Sequence, residues 1–454
     1  MKRIKTSSDG IFTSKSKWID EEPISAELYS VERLEQYAHI LAANSEISTQ
    51  RAGRRLLLPR FEENGKRLAE AYRLLAAAVF EGQVVSPAAE WLLDNFHIVE
   101  EQLRQIREDL PKSYYNELPK LSVGELSGYP RIYELALAFT AHTDSRFDSD
   151  SLRRFILAYQ EVTPLTIGEL WAVAITLRLA LIENLRRLAN RVVAHRYERS
   201  EADALADKLL TVTDDEQRSV VANIIQQLEK RKELNRAFIV QLTQRLRDQS
   251  PDVMPLIEWI EGEVRTRDQS IEQLVQIEHH RQATAQVTVG NIITSMRLLS
   301  MLDWHEFVES ISLIEPILGQ DPAEVYTKMD FATRDRYRHI IESIARRTAV
   351  NELEVAVRAL SLAKEAKLST SQDTTRTHVG YYLIDDGVRK LEQKFNYQPP
   401  LLMQIQRSAL ANPNLFYFGI FTLLTGLILT LIYYLAGSAD ATIYGIIVSC
   451  ARPR

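Results

Sequence analysis

"TIGELWAVAITLRLALIENLRRLANRV", residues 166–192, decides the fold class. It opens on Thr166-Ile-Gly-Glu169, a capping box, in which the threonine side chain and the glutamate three positions on satisfy one another's backbone amides. Behind it Leu170, Ala174, Leu177, Leu181, Leu185, Leu188 and Val192 recur at steps of three and four. That spacing puts them on one side of a long helix.

The same grammar holds on either side. Ser86-Pro87 pairs a capping residue with proline at the first helical position. Leu92, Phe96, Val99, Leu103, Ile106 and Leu110 then share one helical face until Pro111 stops the run. Thr213-Asp-Asp-Glu216 caps a third long helix with Val221, Ile224, Leu228, Leu234, Phe238 and Leu242 inward. Ser250-Pro251, Asp303-Trp-His-Glu306 and Asp321-Pro-Ala-Glu324 mark three further starts. Strand signals are weak: Asn64-Gly65 lies inside a helical pattern, and 16 glycines are few for a β-rich chain of 454 residues. The expectation is an all-α fold, a multi-helix cytoplasmic bundle with long amphipathic helices.

The bulk properties agree. The chain is 45% hydrophobic and 26% charged, enough for a real core. A net charge of −6 argues against a nucleic-acid partner. Cys450 is the single cysteine, so no intramolecular disulfide forms. The first residues, "MKRIKTSSDGIFTSKSKW", are basic and polar without an apolar secretory core.

One segment breaks the pattern. Leu415 to Ala436, "LFYFGIFTLLTGLILTLIYYLA", is 22 residues without a charge, roughly 33 Å of helix. Phe416, Tyr417, Tyr433 and Tyr434 flank it as interfacial aromatics do. Lys390, Lys394 and Arg407 precede it, which puts the N-terminal side in the cytoplasm. After the turn "GSAD", Ala441 to Ala451 is about half a span, and Arg452-Pro453-Arg454 follows. The expected organisation is therefore a flexible N-terminus over 1–29 and an all-α cytoplasmic module over 30–410. A transmembrane helix follows over 414–437, then a truncated second apolar segment over 441–454. Candidate breaks inside the module are 111–130 and 368–378.

Catalytic patterns are scarce. Gly65-Lys66 has Arg60 where a phosphate-binding loop needs its first glycine and Arg67 where it needs a hydroxyl. His305 and Glu309 share a helical face but lack the second histidine of a zinc helix. His279-His280 reads as a solvated pair. Asp148-Ser-Asp150 has the spacing for a shared divalent ion, yet it precedes an amphipathic run and reads as a cap. Arg186, Arg187, Arg191 and Arg196 read as a solvated basic face with local ion pairs, a lipid-headgroup or partner contact being the alternative. Tyr114-Tyr115 and Tyr381-Tyr382 read as core packing, with sugar stacking as the alternative. No residue is assigned a catalytic, cofactor-binding or metal-binding role.

Particular strings carry a resemblance. "EWLLDNFHIVEEQLRQIREDLPKSYYNELPKL" (90–121), "GYPRIYELALAFTAHTDSRFD" (128–148), "YQEVTPLTIGELWAVAITLRLALIENLRRLA" (159–189), "MDFATRDRYRHIIESIARR" (329–347) and "HVGYYLIDDG" (378–387) are similar to the N-terminal region of the cyclic β-1,2-glucan synthase family. The resemblance runs in order over residues 30–440. It implies a very large inner-membrane enzyme whose cytoplasmic N-terminal region leads into membrane helices and a glycosyltransferase domain using UDP-glucose. Phosphorylase-like domains follow, and the growing glucan is carried on the protein. It places no family catalytic residue on any position here, and no cofactor. The expected role is a membrane-anchored, truncated, non-catalytic module supporting glucan synthesis. Its expected partners are the lipid bilayer, the missing glycosyltransferase domain and the nascent β-1,2-glucan. The alternatives are a self-standing tail-anchored helical scaffold and, in a third class, a soluble α-helical glycosidase with an acid pair in a groove.

Overall fold

The structure, a computed structural model, describes residue 18 and residues 21–48, 57–212, 214–231, 234–247, 249, 251–266, 268–348, 350–369 and 374–450. It divides into two compact units, Met1–Gly319 and Gln320–Arg454. Among the described residues both are helical, and extended pairing is limited to the isolated bridges Ile47–Leu121 and Lys120–Pro130. The division falls at neither expected break. Residues 111–130 fold back onto the first unit instead, with Leu118, Leu121 and Tyr129 buried.

In the first unit the helices are α1 (Val31–Asn44), α2 (Leu57–Phe80), α3 (Pro87–Asp94), α4 (Phe96–Asp109), α5 (Lys112–Glu117), α6 (Arg131–His142) and α7 (Ser149–Val162). They are followed by α8 (Ile167–Leu210), α9 (Asp214–Glu229), α10 (Arg236–Leu246), α11 (Met254–Arg265), α12 (Ile271–Met301), α13 (Trp304–Ile311) and α14 (Ile314–Leu318). Ser86 caps α3 as the sequence predicts, its Oγ accepting from the Ala89 amide. The run to Leu110 is nevertheless two helices. It breaks at Asn95, whose amide donates to the Trp91 carbonyl while Arg297 donates to its Oδ1 at 2.6 Å. The expected cap Thr213–Glu216 lies outside the residues whose side chains are described.

The axis of this unit is α8, 44 residues long, about 66 Å at 1.5 Å per residue. The expected capping box is present at Thr166 and Glu169. The expected single apolar stripe is only part of the answer, because every residue from Ala172 to Arg186 is buried. Helices α2, α4, α6 and α12 pack around this stretch, so its polar members Arg178, Glu183, Asn184 and Arg186 are buried along with its apolar ones. Two cores share the rod. The larger runs from Trp18 to Val193 and takes in Val289–Ile311; the smaller is built from Ala202–Leu274. Thus α8 leaves the first core at Val193 and enters the second at Ala202, and α12 returns.

Polar clamps fix what the apolar contacts leave free. The Arg131 guanidinium is 1% exposed and donates from Nε to Glu169 Oε1 at 2.9 Å, while Glu169 Oε2 also accepts from the Thr166 amide. The capping glutamate therefore carries a buried ion pair as well. Asp144 and Ser145 adopt positive φ of 48° and 60°, a region costly for residues with a Cβ. Four neighbours hold them there: Thr288 Oγ1 donates to Asp144 Oδ1 at 2.7 Å, Asn291 Nδ2 to the Asp144 carbonyl at 3.1 Å, Ser295 Oγ to the Ser145 carbonyl at 2.7 Å, and Asn184 Nδ2 to Ser145 Oγ at 2.8 Å.

The flexible stretch expected over 1–29 needs correction from Glu21 onward; residues 1–17, 19 and 20 lie outside the described residues. Trp18 is buried. The Ile24 amide donates to Asn184 Oδ1 at 2.7 Å, and Ala26 and Tyr29 amides donate to the carbonyls of Ala141 and His142. This segment supplies the hydrogen bonds that the polar residues of α8 require.

The second unit contains α15 (Phe331–Thr348), α16 (Glu352–Leu368), α17 (Val379–Ile384), α18 (Val388–Lys394), α19 (Leu401–Ala411) and α20 (Pro413–Cys450). The helix start expected at Asp321 is absent. Residues 321–325 form a turn, with Glu324 at φ 54°, because the Asp321 carboxylate is committed to the Val325 and Val379 amides and to His378. The expected turn at residues 437–440 is absent too, since α20 runs unbroken through it. Side chains of 415, 432–433 and 435–450, and all of 451–454, lie outside the described residues. The remnant status expected for 441–454 therefore falls there, as does Cys450. Among the described residues no helix is long and apolar enough to cross a membrane.

The Arg131–Glu169 pair gives a test. Arg131→Met alone strands a buried carboxylate and should cost about 3–5 kcal/mol. Arg131→Met with Glu169→Leu should recover most of it, read as the shift in thermal unfolding midpoint of the full chain in detergent.

Candidate functional site

The basic stretch on α8 is two different things. Its first half is an internal network centred on Glu183, which is 1% exposed. Arg60 donates to both carboxylate oxygens at 3.1 and 2.6 Å, Asn64 to Oε2 at 2.7 Å, and Arg186 and Arg187 to Oε1 at 2.9 and 3.0 Å. Arg186 continues to Glu21 through two bonds of 2.9 and 2.6 Å, and Arg191 pairs with Glu22 at 3.0 Å. Burial works to raise the Glu183 carboxyl, but the hydrogen bonds and charges of Arg60 and Arg186 outweigh it and hold it well below the usual carboxylate range. The reading of a solvated face is therefore corrected for Arg186 and Arg187, which answer the buried Glu183, whereas Arg191 pairs with the exposed Glu22.

The second half opens into a groove of about 660 Å³. Arg196, Arg199, Asp203 and Asp207 line it from α8, at helical spacings that keep them on one side. Gln241 and Arg245 face them from α10, and residues 83–86 close one end. Most of the charge here is already engaged. Arg245 pairs with Asp207 and approaches Asp203 at 3.6 Å, Gln241 donates to Asp203 at 2.8 Å, and Arg196 donates to Gln83. Val84, 97% exposed, lines the groove from the α2–α3 connection. Of the sequence-level basic residues the groove takes only Arg196. Arg199, Asp203, Asp207 and Arg245 were missed. The available signal was a run of charges on α8 where its apolar stripe should have continued past Val192.

The other candidates are placed as follows. Asp148 caps α7, its Oδ2 accepting from the Ser151 amide at 2.9 Å, and Asp150 pairs with Arg153 at 2.7 Å, so the two carboxylates do not converge on one ion. His305 follows the Asp303 cap of α13, with its ring edge-on to Trp171. Among the described residues no group of three His, Cys, Asp or Glu side chains could hold a metal. His279 and His280 are exposed. Tyr115 is buried under the Lys120 ammonium, and Tyr114 donates to the Gly168 carbonyl at 2.6 Å. Tyr382 is buried, and Tyr381 packs edge-on against it. Gly65 is buried inside α2 against Leu103.

The second unit holds a chain that sequence reasoning did not find, since its members are separated by 57 and 41 positions. Asp321 Oδ2 meets His378 Nδ1 at 2.7 Å, and His378 Nε2 meets the Tyr337 hydroxyl at 3.0 Å. Tyr337 is 2% exposed. The chain locks α17 to the Asp321 turn and to α15. Gly380 makes the approach possible: a Cβ there would lie 2.1 Å from the Tyr337 hydroxyl and 2.5 Å from His378 Nε2.

Two outcomes follow from these networks. The folded-state pKa of Glu183 is depressed, so its stabilisation is present above the unfolded value of about 4.3 and is lost as pH falls. Glu183→Gln should lower the thermal midpoint at pH 7, and its gap to wild type should narrow steadily between pH 5 and the acid limit (on the order of the buried-pair cost at the neutral end). Gly380→Ala should destabilise by about 1–3 kcal/mol. Tyr337→Phe should be partly epistatic to it in a double-mutant cycle, since it removes the nearest clashing atom.

Comparison with known proteins adds the lineage. No family model matches the chain. Over 392 residues it is 36% identical to the cyclic beta-(1,2)-glucan synthase NdvB of Rhizobium meliloti (strain 1021), a match that covers 84% of this chain and 13% of that protein's length. Most of this chain thus has a shared origin with part of a much longer synthase, and the chain belongs to the cyclic β-1,2-glucan synthase family.

Proposed function

We propose that this chain is a membrane-anchored, non-catalytic module of a cyclic β-1,2-glucan synthase, supporting at the cytoplasmic face a UDP-glucose-dependent transferase domain that lies outside it. The carrying observation is the 36% identity to a named synthase over a stretch that is 13% of that protein. Two structural features support the supporting role. The buried carboxylates Glu169 and Glu183 are consumed by arginines, and the Asp321–His378–Tyr337 chain ends on a buried hydroxyl. These groups build the scaffold and are not free to act on a substrate.

The anchor in this reading is α20. Phe418, Phe421, Leu424, Leu427 and Leu431 are each more than half exposed, which is costly in water and favourable in lipid. The hydroxyls of Thr422, Thr425 and Thr430 donate back to the carbonyls of Phe418, Phe421 and Gly426 at 2.7–2.8 Å, so the polar atoms of this stretch are satisfied inside the helix. The contiguous described side chains from Phe416 to Leu431 cover about 24 Å; the uncharged residues on either side extend the run to the full 22. Orientation rests on Arg389, Lys390 and Lys394, which are exposed and make no ion pair with a described residue. Arg407 contributes less, because Glu392 neutralises it through two bonds of 2.7 and 2.8 Å.

Wild-type chain should stay in the pellet of an alkaline membrane wash, and Leu424→Arg with Leu427→Arg should move it to the supernatant. Purified chain given labelled UDP-glucose should form no β-1,2-glucan. Glucan formation by the chain alone would overturn the non-catalytic reading, and release of wild type by the wash would overturn the anchor.

A further inference from the structure

We propose that the groove between α8 and α10 binds a small oxyanion-bearing ligand, a phosphate or carboxylate attached to a short organic body, with Arg199 as its anchor. The inference is independent of the anchoring role of α20 and of where glucan is made.

The donor and acceptor balance of the groove carries it. Both groove carboxylates are engaged: Asp207 pairs with Arg245, and Asp203 accepts from Gln241 and faces Arg245. Arg245 and Arg196 are engaged in turn, the latter with Gln83. Arg199 lines the same wall and makes no hydrogen bond or salt bridge with any described residue. A guanidinium carries five N–H donors in a planar fork that matches carboxylate and phosphate oxygens two at a time. Partial burial strips it of water, and Glu278 and Asp203 act on it through space without closing a bond. Glu278 keeps a buried Oε2 without a hydrogen bond, and Arg199 still lines the groove. Three arginines against two aspartates leave the lining one positive charge in excess.

The shape agrees. A space of about 660 Å³ is in the range of ordinary small-molecule sites. The lining also includes the aliphatic side chains of Leu75, Val84, Val85 and Val192. It suits the carbon skeleton of a ligand whose charged end sits on the arginine. A glycerophosphate has this chemistry, whether as a free solute or as the headgroup of a phospholipid.

The test uses the full chain in neutral nanodiscs of phosphatidylcholine, titrated calorimetrically with sn-glycerol 3-phosphate and with succinate. At least one probe should bind saturably at one site. Arg199→Gln should weaken that binding about tenfold or more, the worth of a charge-assisted bidentate contact, while the exposed Arg104→Gln leaves it unchanged. Ser200→Trp, which fills the groove from an exposed position, should abolish it without disturbing the Arg199 region. Repeating the titration in phosphatidylglycerol nanodiscs separates the sources. Loss of solute binding there supports a lipid headgroup as occupant, and unchanged binding supports a free solute. Absence of saturable binding by either probe, together with no Arg199-dependent preference for phosphatidylglycerol, overturns the proposal, as does binding that Arg199→Gln and Ser200→Trp leave intact.

Discussion

A helix enclosed on every side over Ala172–Arg186 has nowhere to place a charge except against an opposite charge, and α8 carries Arg178, Glu183 and Arg186 inside that stretch. Glu183 resolves the problem by recruiting from three directions: Arg60 and Asn64 from α2, Arg186 and Arg187 from its own helix, and through Arg186 the carboxylate of Glu21. Removing Glu183 leaves Arg60, Arg186 and Arg187 without their shared anion. The apolar contacts of the larger core could tolerate small rotations of α8; this network does not, because each guanidinium fork demands a particular face of the carboxylate.

Farther along the same rod the logic inverts. Past Val193 the helix emerges from the larger core, and its charges line a groove instead of being sealed. Here the pairs involving Arg245, Asp203 and Asp207 are half-exposed, where individual ion pairs contribute little to stability. One helix thus runs from a region where electrostatics serves folding to a region where it is open to a ligand. The smaller core beyond Ala202 keeps the groove walls in place without drawing on the Glu183 network.

Much of this was legible in the residues. The capping box at Thr166–Glu169, the cap at Ser86, the buried faces of α3 and α4 and the capping role of Asp148 follow from local chemistry with a range of three or four positions. What could not be read is what depends on long-range meetings. The stripe on α8 looked one-sided because the remainder includes Asn184, which bonds Ile24 160 positions away, and Arg178, which bonds the Leu299 carbonyl 121 positions away. The basic stretch looked solvated because Glu21, Glu22 and Arg60 lie more than a hundred positions away. Asp321 looked like a helix cap because its true claimant, His378, comes 57 residues later. The division at Gly319 falls at neither of the compositional breaks at 111–130 and 368–378.

The strap at residues 21–29 has a temporal consequence. Its anchoring side chain, Asn184, lies 160 positions downstream of Ile24. On a ribosome adding about 5–20 residues per second, the segment waits roughly 8–30 s before its partner is even synthesised. It is made well before its partner and docks late, so the strap is unsheltered during translation, within reach of any protease or chaperone that meets it before α8 is complete.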